Sequence, residues 1–312
     1  MLFRSRDTTA GTLAARGARM FKAANLAFGH GIANARDEAI VLTQHALKLP
    51  RHTFPAALKV TAPDATRVLA LFERRISERK PAAYLTREAW LGDQKFYVDE
   101  RVIVPRSYIA ELLLEHDHPL LPPPGKVRTA LDLCTGSGCL AILLAKRYRK
   151  ARIDATDISP EALAVTAINV KRHRLNHRVK YLISNIFSNI TRRRYDLIIS
   201  NPPYVRGAVM RRLPREYRRE PALALAAGED GLDILRVILA NAAKHLHPGG
   251  VLVVECGHAR TLIERTWPQL PFFWVETSGG DDCVFVLTRE ELPSYQRVLT
   301  GIETNRQRKR GT

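Results

Sequence analysis

Apolar, strand-like runs at residues 129–134, 151–156, 179–183, 195–200 and 251–256 alternate with helical segments, and this alternation restricts the fold more than any other feature. Strands joined through helices pair in parallel and bury both faces, so residues 105–292 read as a doubly wound α/β domain. Pro248-Gly249-Gly250 makes a sharp turn into the fifth run. Phe272 to Glu276 and Cys283 to Leu287, flanking Gly279-Gly280, predict a terminal antiparallel hairpin and hence a seven-stranded sheet. Upstream, apolar residues recur at helical spacing: Ala39, Leu42 and Ala46, then Val68, Leu69, Phe72 and Ile76. Pro50, Pro55 and Pro63 punctuate them, so residues 16–88 read as a small helical N-terminal domain. Over residues 89–104 the period shortens to that of a strand at Trp90, Phe96, Val98, Val102 and Val104. Asp99-Glu100 there predicts the turn of a β-hairpin linker. Leu121-Pro-Pro-Pro-Gly125 leads into the sheet, and the basic tail at 293–312 lacks periodicity and is expected to be disordered.

The first strand, Thr129 to Cys134, runs into Thr135-Gly136-Ser137-Gly138 and then a helix from Leu140 to Arg147. Glycines at 136 and 138 allow a tight turn and close approach of the backbone to a ligand at the helix N-terminus. Asp157 ends the next strand, about 20 residues on, where a carboxylate takes ribose hydroxyls. This arrangement fits a nicotinamide cofactor and S-adenosylmethionine equally well. A second motif separates them. Asn201-Pro202-Pro203-Tyr204 follows directly on the apolar run Tyr195 to Ser200. Its prolines fix φ and remove two donors, leaving a stiff corner with free carbonyls. The Asn oxygen and a proline carbonyl can accept both N–H hydrogens of a planar amide or amino group, and the Tyr ring offers that group a face. Alone, the corner is also a rigid turn ending a strand. Paired with the glycine turn it favours S-adenosylmethionine and a nitrogen nucleophile, because a nicotinamide enzyme has no use for it.

A net charge of +18 over 312 residues points to polyanions or ribonucleoprotein as partners. Arg206, Arg211, Arg212, Arg215, Arg218 and Arg219 crowd the stretch just past the corner, with further basic clusters at Arg192 to Arg194 and Lys171 to Lys180. Charge runs are often only solvated faces; proximity to the corner singles out 206–219. Cys134, Cys139, Cys256 and Cys283 contain no Cys-x-x-Cys pair, which implies a reducing, cytoplasmic setting without disulfides or a metal site. His116 and His118 precede the proline-rich linker and read as solvated. No apolar run approaches the ~18 residues of a membrane span. The Arg- and Ser/Thr-rich start resembles a transit peptide, but continues unbroken into Phe21 to Asn25 as a frayed helix would.

These motifs resemble one family, the HemK-like glutamine N(5)-methyltransferases, and within it the branch acting on the third protein of the large ribosomal subunit. Glu88-Ala-Trp-Leu-Gly92 and Phe96 to Ser107 resemble that branch's linker. Ala24-Asn25, Gly29-His-Gly31, Asp37-Glu-Ala39, Glu216 to Pro221 and Gly228 to Gly231 are similar to it too. The sister branch, which modifies peptide-chain release factors, carries Pro-Arg-Pro-Asp-Thr-Glu where this chain has Pro105-Arg106-Ser107-Tyr108. The resemblance implies a Rossmann-like methyltransferase sheet binding S-adenosylmethionine. It implies that Cys134, Thr135, Gly136, Ser137 and Gly138 cradle the methionine part and that Asp157 takes the ribose. Asn185 and Ile186 fall on the adenine-side motif, where the family has Asp and the release-factor branch Trp. Asn201, Pro202, Pro203 and Tyr204 would hold the substrate glutamine, with Asn201 also bordering the cofactor. Cys256-Gly-His258 departs from the family's Val-Gly-Asn.

An amide nitrogen is a poor nucleophile, so position matters more than acid–base chemistry, and no metal is called for. Three other readings stay open at this level: the release-factor branch, an amino-group methyltransferase of RNA or DNA, and a ribosome-assembly binding module with a decayed site. The helical N-terminal domain argues against the nucleic-acid enzymes, and the intact Gly136, Gly138, Asp157 and Asn201 against decay. The expected partners are the ribosomal protein as substrate and ribosomal RNA or assembly intermediates on the basic surface, with no membrane.

Overall fold

The computed structural model describes residues 8–115, 117–268 and 272–292, so the expectations for the extreme N-terminus, His116 and the tail lie outside the described residues. The chain begins with helices α1 (Ala10–Ala23), α2 (Ala35–Ala46), α3 (Ala62–Glu78) and α4 (Ala82–Thr86). Each of the first three starts where a side chain satisfies orphan backbone donors: Thr9 for α1, Asn34 for α2 and Thr61 for α3. Their apolar stripes meet at Leu13, Phe21, Leu42, Val68 and Phe72, with Phe21 and Phe72 edge to face at 5.3 Å. Arg75, fully buried on α3, ion-pairs with Glu38 and donates to the Ala27 carbonyl at 3.1 Å. Deleting one partner of such a pair strands the other charge in the core.

Strands β1 (Ala89–Leu91) and β2 (Gln94–Phe96) form the expected hairpin, but it is shorter than 89–104 and turns at Gly92-Asp93. Asp99-Glu100 is not its turn. The Asp99 carboxylate is buried and accepts from the Tyr97 hydroxyl at 2.8 Å and from Arg101 N–H and Nε at 3.1 and 2.9 Å. This locks a local turn that needs no strand pairing. Val98, Val102 and Val104 pack instead against Ala162 and Val165.

Thereafter α5 (Ile109–Leu114), β3 (Thr129–Leu133), α6 (Cys139–Arg147), β4 (Arg152–Asp157), α7 (Pro160–Arg172) and β5 (Val179–Ile183) alternate. They are followed by β6 (Tyr195–Ser200), α8 (Gly207–Met210), α9 (Asp233–Asn241), β7 (Leu246–Glu255), α10 (Arg260–Thr266), β8 (Phe273–Thr277) and β9 (Gly280–Thr288). The strand order is β5-β4-β3-β6-β7-β9-β8, parallel up to β7 and antiparallel in the closing β9-β8 hairpin. The seven-stranded doubly wound sheet expected from the sequence is thus present. β7 starts earlier than its apolar run: Leu246 pairs with Tyr195 before an irregularity, and Val251 resumes the register opposite Leu197. His245, the last residue of the short 3-10 helix Ala242–His245, is buried and stacks on Phe187 at 4.4 Å. Strand order reverses between β3 and β6, which opens a crevice outside the carboxyl ends of the strands.

Candidate active site

The glycine turn lies on one side of that crevice. Cys134, Gly136 and Gly138 all have positive φ, at +58°, +55° and +78°. At 138 only glycine fits, because a Cβ would sit 2.8 Å from Thr166 Cγ2. At 136 a Cβ would meet nothing within 4 Å, so that backbone faces open space. The Thr135 hydroxyl turns away from it, donating to Asp132 Oδ2 at 2.5 Å, and the buried Ser137 accepts from Asn169 Nδ2 on its carbonyl at 2.9 Å. Asp132 is buried with Oδ1 unpaired, and burial pushes its carboxyl up to about 7. Asp157, at the end of β4, accepts Gly136 N–H on Oδ2 at 2.9 Å and Ser159 N–H on Oδ1 at 3.0 Å. Burial raises its carboxyl above the ordinary range, although these backbone donors oppose the shift. Each oxygen keeps acceptor capacity for a ligand.

Cys134, Gly136, Asp157, Asn185, Ile186 and Asn201 line one cavity of about 150 Å³. Thr135, Ser137 and Gly138 shape the turn behind it. Ile186 has φ of +52°, costly for a β-branched residue and of the kind that gathers at binding sites. Val102 and Ile103 from the linker and Leu223 and Ala224 from beyond the corner close the same cavity. No motif marks these four, because they arrive through tertiary packing.

The corner lies across the crevice, at the end of β6, with both prolines trans. Asn201 Nδ2 donates to Glu255 Oε1 at 3.1 Å and to the Arg106 carbonyl at 3.4 Å. Both partners are acceptors, which settles the amide's orientation and leaves Oδ1 for an incoming donor. Glu255 ends β7 and is itself pinned: its Oε2 accepts from the Ser107 hydroxyl at 2.6 Å and from Tyr108 N–H at 2.9 Å. The Tyr204 ring packs on Gly257, where a Cβ would lie 2.7 Å from Cε2. Asn201 to Tyr204, Tyr108 and Glu255 line a second, larger cavity of about 820 Å³. Asn201 and Pro203 border both cavities and form a shared wall.

Glu255 is the buried carboxylate that holds Asn201. Burial pushes its carboxyl up to about 7, against the hydrogen bonds from Ser107, Ile109 and Tyr108. The ionised form accepts most strongly from Asn201, so kcat should rise with pH through about 7 and Glu255→Gln should abolish that inflection. Stability runs the opposite way. A raised folded-state pKa contributes stability below the ordinary glutamate range, and that contribution is lost as pH rises towards about 7. Glu255→Gln should therefore gain stability relative to wild type across that window, as thermal melts at several pH values would register. Parallel pH profiles in variant and wild type would exclude Glu255 from orienting Asn201.

The segment after the corner is two-sided. Arg206, Arg211, Arg212, Arg215, Arg218 and Arg219 are exposed, whereas Glu216 and Glu220 are buried. Glu216 accepts from Arg79, the C-cap of α3, at 3.0 Å. Glu220 takes both Nη atoms of Arg106 at 2.6 Å and the Val104 N–H at 2.9 Å. Arg106 is therefore an anchor for the segment. His30, buried against the Tyr217 ring with centroids 4.1 Å apart and planes tilted by 41°, is lowered to about 4 by burial and stays neutral.

A nucleotide-type cradle facing an Asn-Pro-Pro-Tyr corner across a doubly wound sheet defines a methyltransferase. A family model, the methyltransferase small domain, matches residues 110–214. The ribosomal protein uL3 glutamine methyltransferase of Neisseria gonorrhoeae is 52% identical over 274 residues, 87% of this chain and 91% of that protein. The protein of the same name from Bordetella pertussis is 50% identical over 272 residues, covering 86% and 91%. The chain belongs to the ribosomal protein uL3 glutamine methyltransferase family. Among solved structures, a Pyrococcus furiosus methyltransferase is similar with a TM-score of 0.47 and 19% identity, over 64% of this chain and 90% of that one.

Proposed function

We propose that this enzyme methylates the side-chain nitrogen of a glutamine in ribosomal protein uL3, in the cytoplasm, with S-adenosylmethionine as methyl donor. The observation that carries the reading is Asn201, whose Nδ2 is held by Glu255 and Arg106 while it borders both cavities. The smaller cavity suits the cofactor: Gly136 leaves the turn open, and Asp157 retains acceptor capacity beside it. There Asp157 would hold ribose hydroxyls, and Cys134 and Gly136 the methionine part, with Asn185 and Ile186 towards the adenine. Bound S-adenosylmethionine supplies an already activated methyl group. The protein's task is to present the amide. Asn201 Oδ1 and the Pro202 carbonyl accept its two N–H bonds, fix its plane against Tyr204, and stabilise positive charge as it grows on nitrogen. Orientation of this kind is worth about 7–11 kcal/mol in favourable cases.

The test is methyl transfer from labelled S-adenosylmethionine to uL3, with the product mapped to a glutamine side chain. Methylation of RNA or of a release factor, with uL3 untouched, would overturn the assignment. The segment that carries the exposed arginines lines the larger cavity with Val209, Leu213 and Tyr217. We assign them to uL3 that already carries ribosomal RNA. Reversing the charge of Arg211, Arg212, Arg215 and Arg219 should raise KM for that substrate and flatten its salt dependence while cofactor affinity holds. An unchanged KM at low and high salt would reduce them to a solvated face.

A further inference from the structure

The turn after β7 carries the two residues, Cys256 and His258, at which this chain departs from the Val-Gly-Asn pattern. Strand pairing gives one of them a set of partners. β7 and β9 run antiparallel with Glu255 opposite Val284, and the ladder continues through Cys256 N–H to the Cys283 carbonyl at 2.8 Å. Gly257, at φ +54°, then turns the chain so that the His258 ring folds back over the start of β9. His258 Nδ1 lies 3.0 Å from both carboxylate oxygens of Asp282 and 3.5 Å from Cys283 Sγ, and Cys283 Sγ lies 3.2 Å from Asp282 Oδ1. One nitrogen, one oxygen and one sulfur thus converge from positions 24 and 25 residues apart in sequence.

We propose that His258, Asp282 and Cys283 form a binding site for a borderline-soft divalent cation of the Zn²⁺ class. Zinc bonds of about 2.3 Å to sulfur and 2.0–2.2 Å to nitrogen and oxygen place tetrahedral ligands roughly 3.4–3.6 Å apart. The three separations here are 3.5, 3.2 and 3.0 Å, so the ligands need to spread by only a few tenths of an ångström. A mixed thiolate, imidazole and carboxylate set suits zinc and disfavours magnesium or calcium, which take oxygen alone. Three protein ligands leave a fourth position for water. Without metal, burial and then the Asp282 carboxylate push the Cys283 thiol up to about 12, so metal binding must release the thiol proton to solvent. Cys256 stays outside the set, its Sγ turned towards the Cys283 and Gly257 carbonyls. The ion would clamp the 256–258 turn to β9 and so hold Gly257 against the Tyr204 ring. Nothing in this depends on which substrate the corner accepts.

The experiment uses the full chain without an affinity tag, reduced and stripped of metal. Zn²⁺ titrated against a chromophoric chelator should bind at one equivalent, and Co²⁺ should give tetrahedral visible bands with a thiolate charge-transfer band. His258→Ala alters an exposed side chain and should leave the fold intact, as circular dichroism would verify. It should weaken zinc binding at least ~10-fold, as Cys283→Ala should, and cobalt on Cys283→Ala should lose the charge-transfer band. Zinc should raise the melting temperature of wild type but not of His258→Ala. Wild type that binds no stoichiometric zinc, a cobalt spectrum without the thiolate band, or wild-type affinity in His258→Ala would each overturn the site.

Discussion

Asn201→Ala should lower kcat by about 10²–10³-fold, the usual cost of removing one preorganised polar group from a transition state. Cofactor affinity should change far less, because the smaller cavity keeps Asp157, Gly136 and Cys134. Both prolines remain, so the corner keeps its shape. What is lost is Oδ1, the acceptor left free when Nδ2 is tied to Glu255 and the Arg106 carbonyl. Asn201→Asp separates geometry from charge. It retains an acceptor facing the substrate but sets a second carboxylate against Glu255, and at neutral pH the two repel. Its activity should recover as pH falls and Glu255 takes up a proton. Single-turnover methyl transfer to uL3 with saturating cofactor would measure both. Full activity in Asn201→Ala would leave the substrate assignment standing and remove the corner from the mechanism.

The parts of the candidate site legible in the sequence are those built from contiguous residues. The glycine turn, the acidic end of β4 and the corner each lie within a few residues of a strand end, so period and spacing suffice to place them on one edge of the sheet. The residues that complete the site come from elsewhere in the chain. Ser107 and Tyr108 reach Glu255 from about 148 residues upstream, and Arg106 reaches Glu220 across 114. Neither pairing leaves a local signal, since any exposed arginine and glutamate look the same in sequence. The hairpin turns at Gly92-Asp93 and not at Asp99-Glu100 for a related reason. Asp99-Glu100 has turn chemistry and does turn, but Asp99 spends its acceptors on Tyr97 and Arg101, and the strand pairing lies elsewhere. The His258, Asp282 and Cys283 cluster escaped because metal signatures are read at short spacing, whereas this one is assembled by strand register.

Asp157→Ala should weaken S-adenosylmethionine binding by at least about 10²-fold. Two hydrogen bonds from ribose hydroxyls to a charged acceptor are worth ~1.5–3 kcal/mol each, and every 1.4 kcal/mol is tenfold in affinity. The substitution also frees Gly136 N–H and Ser159 N–H, which Asp157 now holds at 2.9 and 3.0 Å, so the turn loses a brace on the side that faces the ligand. Asp157→Asn divides these contributions. Its single carbonyl oxygen can serve one backbone donor or one hydroxyl well, and its NH2 group opposes the other, so its affinity should fall between wild type and alanine. The pH dependence has a definite sign. Burial raises the Asp157 carboxyl above the ordinary aspartate range, so protonation begins at higher pH than for an exposed aspartate. Wild-type affinity should therefore decline on acidification sooner than free-aspartate behaviour predicts, whereas Asp157→Asn should lack this dependence. Calorimetric titration of cofactor across pH would resolve the three proteins, with thermal melts confirming that each is folded. Equal affinity in wild type and Asp157→Ala would place the ribose elsewhere and leave the carboxylate as a structural brace for the glycine turn.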